Sequence, residues 1–206
     1  MKRIVLIGAS GHGKVCAEIA ELSNKYSELL FLDDDQSIKK NGKYDVVGTS
    51  EDIYKYIDSE TDFFVSIGNH KYRREIQQKI EERGGRIASL IHPNAVISED
   101  VKIGIGTVIM PGSVINAGTI IGKGVIVNTS SSIDHDCSIG AWSHVAVGAH
   151  LCGTVDIGQR CWIGAGAVVS NNLSICADVV IGVGAVVVET IDEKGTYMGV
   201  PARKNR

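Results

Sequence analysis

From Ile97 onward the hydrophobic pattern has a period of six. Ile97, Ile103, Ile109, Ile115, Ile121, Val127, Ile133 and Ile139 are followed without interruption by Val145, Leu151, Ile157, Ile163, Val169, Ile175, Ile181 and Val187. A second register lies four residues after these positions. From Val101, Thr107 and Ser113 through Cys137, Cys161 and Ala185 it holds small or β-branched side chains, Leu173 excepted. Glycine often follows the aliphatic, as at Gly104, Gly122, Gly140, Gly158, Gly164 and Gly182. Period six matches neither a 3.6-residue helix nor an uninterrupted strand alternation. It matches a short strand and a turn, repeated, with one large and one small residue inward each time and glycine easing turns of positive φ. Three such units close a triangular coil, and coils stack through backbone hydrogen bonds. The hexads therefore predict an all-β parallel β-helix of about five coils over residues 97–187, with no loop interrupting them.

The N-terminal part reads differently. Residues 3–7 form a continuous apolar run typical of a buried strand. They lead into Gly8-Ala9-Ser10-Gly11-His12-Gly13-Lys14, and a helix is predicted from residue 15 to about residue 22. A second strand at 29–32 ends in Asp33-Asp34-Asp35, and a third at 63–67 ends in Gly68-Asn69-His70. A helix over 72–83 and a last strand over 86–91 complete the alternation. This order predicts a Rossmann-like α/β nucleotide-binding unit with a parallel sheet and any ligand at the carboxyl ends of its strands.

Charge marks the seam between the two patterns. Residues 1–91 carry 14 basic and 15 acidic side chains, whereas 92–206 carry 7 and 9. We therefore expect two domains, 1–91 and 92–206, meeting near Ile91-His92-Pro93-Asn94. The net charge of −3 argues against a nucleic-acid-binding face. The five cysteines are odd in number and lack CxxC spacing, so neither a disulfide framework nor a metal cage is expected. There is no apolar run of 18 residues and no charged-then-apolar leader, so no membrane association is expected and the cytoplasm is the expected compartment.

Two clusters carry candidate chemistry. The glycine loop spells GxxGxG rather than the dinucleotide GxGxxG, so a full NAD site is not supported. Such a loop still presents backbone N–H groups at a helix N-terminus, where phosphate is favoured. Gly11, His12, Gly13 and Gly68 are candidate substrate contacts, and Asp33 and Asp34 can accept bonds from a ribose or a base edge. The bland reading is a tight turn beside an acidic, solvated one. The second cluster is Ser131, Ser132, Asp134, His135 and Asp136, polar residues inside an aliphatic repeat. His135 lies two residues after the inward Ile133, at a corner and facing outward, and either flanking aspartate can fix its tautomer. Histidine is suited to general-base work near neutral pH. Gly153 lies one coil beyond His135, and its N–H is a candidate contact for an oxyanion or a thioester. Cys137 and Cys161 occupy the small inward register and read as core.

The repeat, the tail Gly199-Val200-Pro201-Ala202-Arg203 and the motifs Gly8-Ala9-Ser10-Gly11-His12-Gly13-Lys14, Asn128-Thr129-Ser130-Ser131-Ser132-Ile133-Asp134-His135-Asp136-Cys137 and Ser143-His144-Val145 resemble one family. This is the hexapeptide-repeat sugar acyltransferases of the sialic acid O-acetyltransferase-like group, above all the bacterial UDP-4-amino-4,6-dideoxy-sugar N-acetyltransferases. The resemblance implies a left-handed β-helix, a homotrimer with active sites between subunits, and acetyl-CoA as co-substrate without a metal. It implies His135 as general base with Asp136 as its partner, where the family often has Glu. It further implies that His144, Gly153, Gly164, Ala165, Gly182, Val183, Pro201 and Arg203 bind acetyl-CoA, with Lys204 and Arg206 adding basic charge, and that His12 meets the sugar nucleotide. Sialic acid O-acetylation is the alternative within the family, and a non-catalytic sugar-nucleotide-binding trimer the alternative outside enzymes. A hexapeptide-repeat carbonic anhydrase does not fit, because His144 and His150 are six residues apart.

Overall fold

The structure, a computed structural model, describes residues 2–205. The chain divides into two compact units, Met1–Pro93 and Asn94–Arg206.

In the first unit strand β1 (Arg3–Ile7) lies between β2 (Glu28–Leu32) and the strand Thr61–Val65, all parallel, and Arg86–Ile87 extends the sheet beside Thr61–Val65. Helix α1 (Gly11–Leu22) follows β1, and α2 (His70–Glu82) follows Thr61–Val65. The apolar runs are covered on both sides, with Ile4, Val5, Leu6, Phe31, Phe63 and Phe64 inaccessible to solvent. Most boundaries shift by one or two residues from the sequence reading, the strand expected at 63–67 to Thr61–Val65 and the helix at 72–83 to His70–Glu82, and two differences are larger. Helix α1 begins at Gly11, inside the glycine loop, because Gly13 packs against the loop it follows. A Cβ at Gly13 would come within 2.1 Å of the Gly8 carbonyl oxygen, so only glycine lets the first turn start this early. The run at 86–91 is two short strands, Arg86–Ile87 and Leu90–Ile91.

The second unit is a parallel β-solenoid with three faces. Two-residue strands repeat every six residues, and each pairs with the strand 18 positions on, as Ser132 does with His150 and His144 with Trp162. A first face holds Val108–Ile109, Ile126–Val127, His144–Val145 and Trp162–Ile163; a second holds Val114–Ile115, Ser132–Ile133, His150–Leu151 and Val168–Val169; a third holds Ile120–Ile121, Ser138–Ile139 and Asp156–Ile157. The second face stacks six strands from Val96–Ile97 to Val186–Val187, and the first continues into Gly195–Met198, so the coil makes about six turns rather than five. On the first face the tail strand Gly195–Met198 adds a layer beyond the hexads.

The inward aliphatics form one continuous core from Ile109 to Val187, and Ile97 and Ile103 pack against its open end. Each fully buried Ile or Val is worth about 1.5–3 kcal/mol relative to exposure. The small inward register explains its own Ser and Thr content. Hydroxyls of Thr107, Ser113, Thr119 and Ser143 each donate to a backbone carbonyl of the adjoining coil at 2.9 Å, so these buried polar groups are satisfied.

Candidate active site

His135 sits on the corner between the second and third faces, and its side chain is 57% exposed. The corner is fixed from both adjoining coils: Thr119 Oγ1 donates to the Asp134 carbonyl at 2.9 Å, and Asp134 N donates to the Leu151 carbonyl at 3.0 Å. The two flanking aspartates have different jobs. Asp134 Oδ1 accepts from the His135 backbone N–H and from Asn116 Nδ2, each at 2.8 Å, which holds its carboxyl below the usual range. Asp136 Oδ2 lies 2.9 Å from His135 Nδ1. Asp136 adopts φ +57°, a left-handed conformation that Asp tolerates better than most residues and that turns its carboxylate back onto the ring. With Nδ1–H donating to Asp136, Nε2 is left as the basic atom. The His135 pKa is raised, first by the hydrogen bond to Asp136 and then by the charge of Asp134.

Above the ring is Gly153. A Cβ there would lie 2.5 Å from His135 Nε2, so the residue must be glycine for the imidazole to stand where it does. Among the described residues the Gly153 N–H makes no hydrogen bond, while its carbonyl accepts from Asn172 N at 3.1 Å. An exposed, carboxylate-paired imidazole thus packs directly on the buried Gly153 backbone at this corner. Cys137 and Cys161, each 2% exposed, have thiol pKa values raised chiefly by burial and are core residues.

His144 is elsewhere. It lies outward on the first face, 7% exposed, with Asn128 Nδ2 donating to its Nε2 at 3.0 Å and the Trp162 ring tilted against it at 4.3 Å between centroids. In one copy this face is opposite the His135 corner. Gly164, Ala165, Gly182 and Val183 stack along a third location, the edge between the first and second faces. Gly164 must be glycine because a Cβ would come 2.6 Å from the Ile181 carbonyl oxygen, and on the same edge Val183 is 79% exposed and Val147, two coils away, 50%. In the tail, Pro201 and Arg203 are exposed, Arg203 Nη2 pairs with Glu189 Oε1 at 3.3 Å and Lys204 Nζ with Glu193 Oε1 at 2.5 Å. Arg206 lies outside the described residues. Of the expected coenzyme contacts, a single copy therefore places Gly153 against His135 and the others elsewhere. Asn128 and Trp162 were not singled out as His144 partners by the sequence reading, although their offsets of 16 and 18 residues from His144 are those of adjoining coils.

The first unit has its own cavity, about 240 Å³, lined by Gly8, Ser10, Asp33, Asp34, Ile67 and Gly68. A wider groove of about 470 Å³ adjoins it along Asp33, Lys39, Val46, Gly48, Thr49 and Asp52. Asp33 Oδ2 accepts from Ala9 N at 2.6 Å and Oδ1 from Asp35 N at 2.8 Å, while Asp34 accepts from Ser50 N at 2.8 Å and Ser50 Oγ at 3.1 Å. These carboxylates brace the loops around the cavity as well as lining it. Gly11 is exposed at the first turn of α1, and Gly13 is buried. His12 is held neutral, its pKa lowered to about 4 by burial and then by the charge of Arg73, and its Nε2 lies 3.7 Å from Cys16 Sγ. No group of His, Cys, Asp and Glu suited to a metal ion occurs among the described residues. Among the same residues, no helix is long and apolar enough to cross a membrane.

Comparison with known proteins agrees with this architecture. Residues 3–80 match the family described as the PglD N-terminal domain. The chain superposes on the acetyltransferase domain of PglB from Neisseria gonorrhoeae, solved with acetyl coenzyme A, at 37% identity and a TM-score of 0.96, covering 99% of both chains. The perosamine N-acetyltransferase of Caulobacter crescentus, solved with CoA and GDP-perosamine, matches at 32% identity and a TM-score of 0.96, covering 100% of this chain and 98% of that one. The chain belongs to the hexapeptide-repeat sugar acyltransferases. A curated relative, the UDP-N-acetylbacillosamine N-acetyltransferase of Bacillus subtilis, is 31% identical over 110 residues, 52% of this chain and 51% of the relative, so the match spans about half of that protein.

Proposed function

We propose that the protein is an acetyl-CoA-dependent N-acetyltransferase acting on the amino group of a nucleotide-linked amino-deoxy sugar, a UDP-4-amino-4,6-dideoxy sugar being favoured, in bacterial glycan biosynthesis. The observation that carries the reading is the stack of His135 on Gly153: an exposed imidazole oriented by Asp136 and packed against a glycine backbone. His135 Nε2 accepts the proton from the sugar amine as its nitrogen attacks the thioester carbonyl. The Gly153 N–H meets the oxygen as negative charge builds on it, and the C–S bond then breaks to release the coenzyme thiol. The transfer is direct: the thiol nearest His135, that of Cys137, is buried in the core and donates to the Cys152 carbonyl. The glycine loop and its cavity hold the acceptor's nucleotide, with N–H groups at the start of α1 suited to phosphate.

The complete site lies between copies in a homotrimer. His135 is opposite the His144 face, and the Gly164–Ala165–Gly182–Val183 edge is a further location, so one acetyl-CoA can touch all three only if neighbouring prisms supply different ones. The exposed Val147 and Val183 on that edge give the pantetheine an apolar track. All five cysteines are free thiols, in keeping with a cytoplasmic setting.

The test is release of free thiol from acetyl-CoA with a UDP-4-amino-4,6-dideoxy sugar as acceptor. Rapid release that depends on the acceptor supports the reading. Release only with free sialic acid would replace it by O-acetylation, and no release with any amino sugar would remove the enzyme assignment.

A further inference from the structure

The corner that carries His135 recurs every 18 residues, at Asp100, Gly118, Asp136, Thr154 and Asn172. Asp136, Thr154 and Asn172 hold φ of +57°, +60° and +60°. Their backbone N–H groups donate to carbonyls of the coil below, those of Ala117, His135 and Gly153, at 2.9, 2.9 and 3.1 Å. Gly118 shares the left-handed backbone, at φ +73°, but departs from this ladder in two ways. Its N–H donates to the side chain of Asp100, to Oδ2 at 2.9 Å. It also has no Cβ, and one placed there would fall on Asp136 Oδ1, while Asp136 Cγ and Cα would lie at 3.4 and 3.6 Å, ordinary contacts. Since Asp, Thr and Asn all adopt the left-handed backbone at this corner, space rather than φ is what calls for glycine at 118. The Asp136 carboxylate is thus held between two residues: Oδ2 lies 2.9 Å from His135 Nδ1, and Oδ1 takes the place of a side chain at 118.

We propose that Gly118 is a positioning residue for the base: it seats the Asp136 carboxylate against the imidazole, and Asp100, one coil further down, pins it in place. The proposal rests on the reading of His135 as general base and adds two residues which that reading does not need. Neither touches substrate; Gly118 acts through Asp136, and Asp100 through Gly118. The charges that act on the ring are those of Asp136 and Asp134 in its own coil. The coil below meets these carboxylates with Asn116 and Gly118, and the coil above meets the ring with Gly153, none of which titrates.

The test uses the full chain and follows the His135 imidazole by NMR titration, its signal assigned by its loss in His135→Ala, so that the first readout does not require turnover. Gly118→Asn suits the left-handed backbone, as Asn172 does, but its Cβ must displace the carboxylate. The His135 pKa should move down toward the ordinary histidine value, and kcat should fall about tenfold with the acetyl-CoA KM unchanged within about twofold. Asp136→Ala supplies the discriminating background. With no carboxylate to displace, Gly118→Asn should there leave the titration in place and change kcat by less than about twofold, whereas damage to the coil itself would add to the loss. Asp100→Ala should move the titration the same way by less, with a loss of about two- to threefold in kcat, and Asp100→Asn, which keeps an oxygen for the Gly118 N–H, should restore both. A ring that titrates as in the unsubstituted protein in Gly118→Asn, or in Asp100→Ala should Gly118→Asn not fold, overturns the proposal. Equal losses from Gly118→Asn with and without the Asp136 carboxylate overturn it as well. Near-normal kcat in His135→Ala overturns the base reading instead, and the part of Gly118 in the reaction with it, whatever the titration shows.

Discussion

The imidazole of His135 fills the space in which a Gly153 side chain would stand, with Nε2 2.5 Å from the position of the absent Cβ. Gly153 carries no positive φ, so space alone and not backbone conformation requires glycine here. Gly153→Ala should therefore displace the ring without disturbing the coil. Turnover is expected to fall by roughly 10²-fold, the lower part of the range for losing a positioned base, with little change in melting temperature. A variant with near-normal kcat would mean that Nε2 is not the working atom.

The pH dependence follows from the Asp136 contact. Only neutral His135 can accept a proton, and its pKa lies above the ordinary histidine value because Asp136 and Asp134 favour the charged form. Activity should therefore fall as pH drops through that raised value. Asp136→Asn removes the main cause, so the acidic limb should move to lower pH while the plateau rate drops, as a neutral amide orients the ring less well. A limb that stays in place would show that another group titrates. His12, neutral down to about pH 4, should add no inflection near neutrality.

Subunit mixing tests where the site is completed. His135→Ala alone should lower kcat by roughly 10²–10⁴-fold, and His144→Ala should weaken the site from the opposite face. If copies share each site, trimers that combine the two variants regain sites with both histidines. Co-expression of the pair under separate tags, followed by purification of the mixed species, should restore a clear fraction of activity. Mixed species no more active than either parent would place both histidines in the service of one copy.

How much was legible in the sequence depended on the range of the interactions. The prism was readable because each hexad decides locally which residue faces in, and Ile133 alone places His135 outward. The orienting carboxylate was not, since Asp134 and Asp136 are symmetric about His135 in sequence. The left-handed backbone of Asp136 and the Asn116 contact of Asp134 distinguish them. The start of α1 was placed late because the packing of Gly13 on Gly8 appears only once the loop has folded. Asp33 was read as a ligand acceptor, yet its oxygens also hold Ala9 N and Asp35 N, a role that joins β2 to the glycine loop across 24 residues.

That bracing gives a fourth prediction. Asp33→Asn keeps the size of the side chain but leaves only one carbonyl oxygen for two backbone N–H groups. Acceptor KM should rise by about three- to tenfold, with the acetyl-CoA KM unchanged. Equal changes in both constants would mean that the loop does not serve the acceptor alone.

The central claim is transfer of an acetyl group to a nucleotide-linked amine, and a single competition measures it. The protein, acetyl-CoA and an equimolar mixture of a UDP-4-amino-4,6-dideoxy sugar, GDP-perosamine and free sialic acid are combined, and early products are resolved by mass spectrometry. The account predicts that acetyl appears first on a nucleotide-linked amine, the UDP sugar leading, with no acetylated protein. Acetyl found first on sialic acid, or retained on the protein, would contradict it.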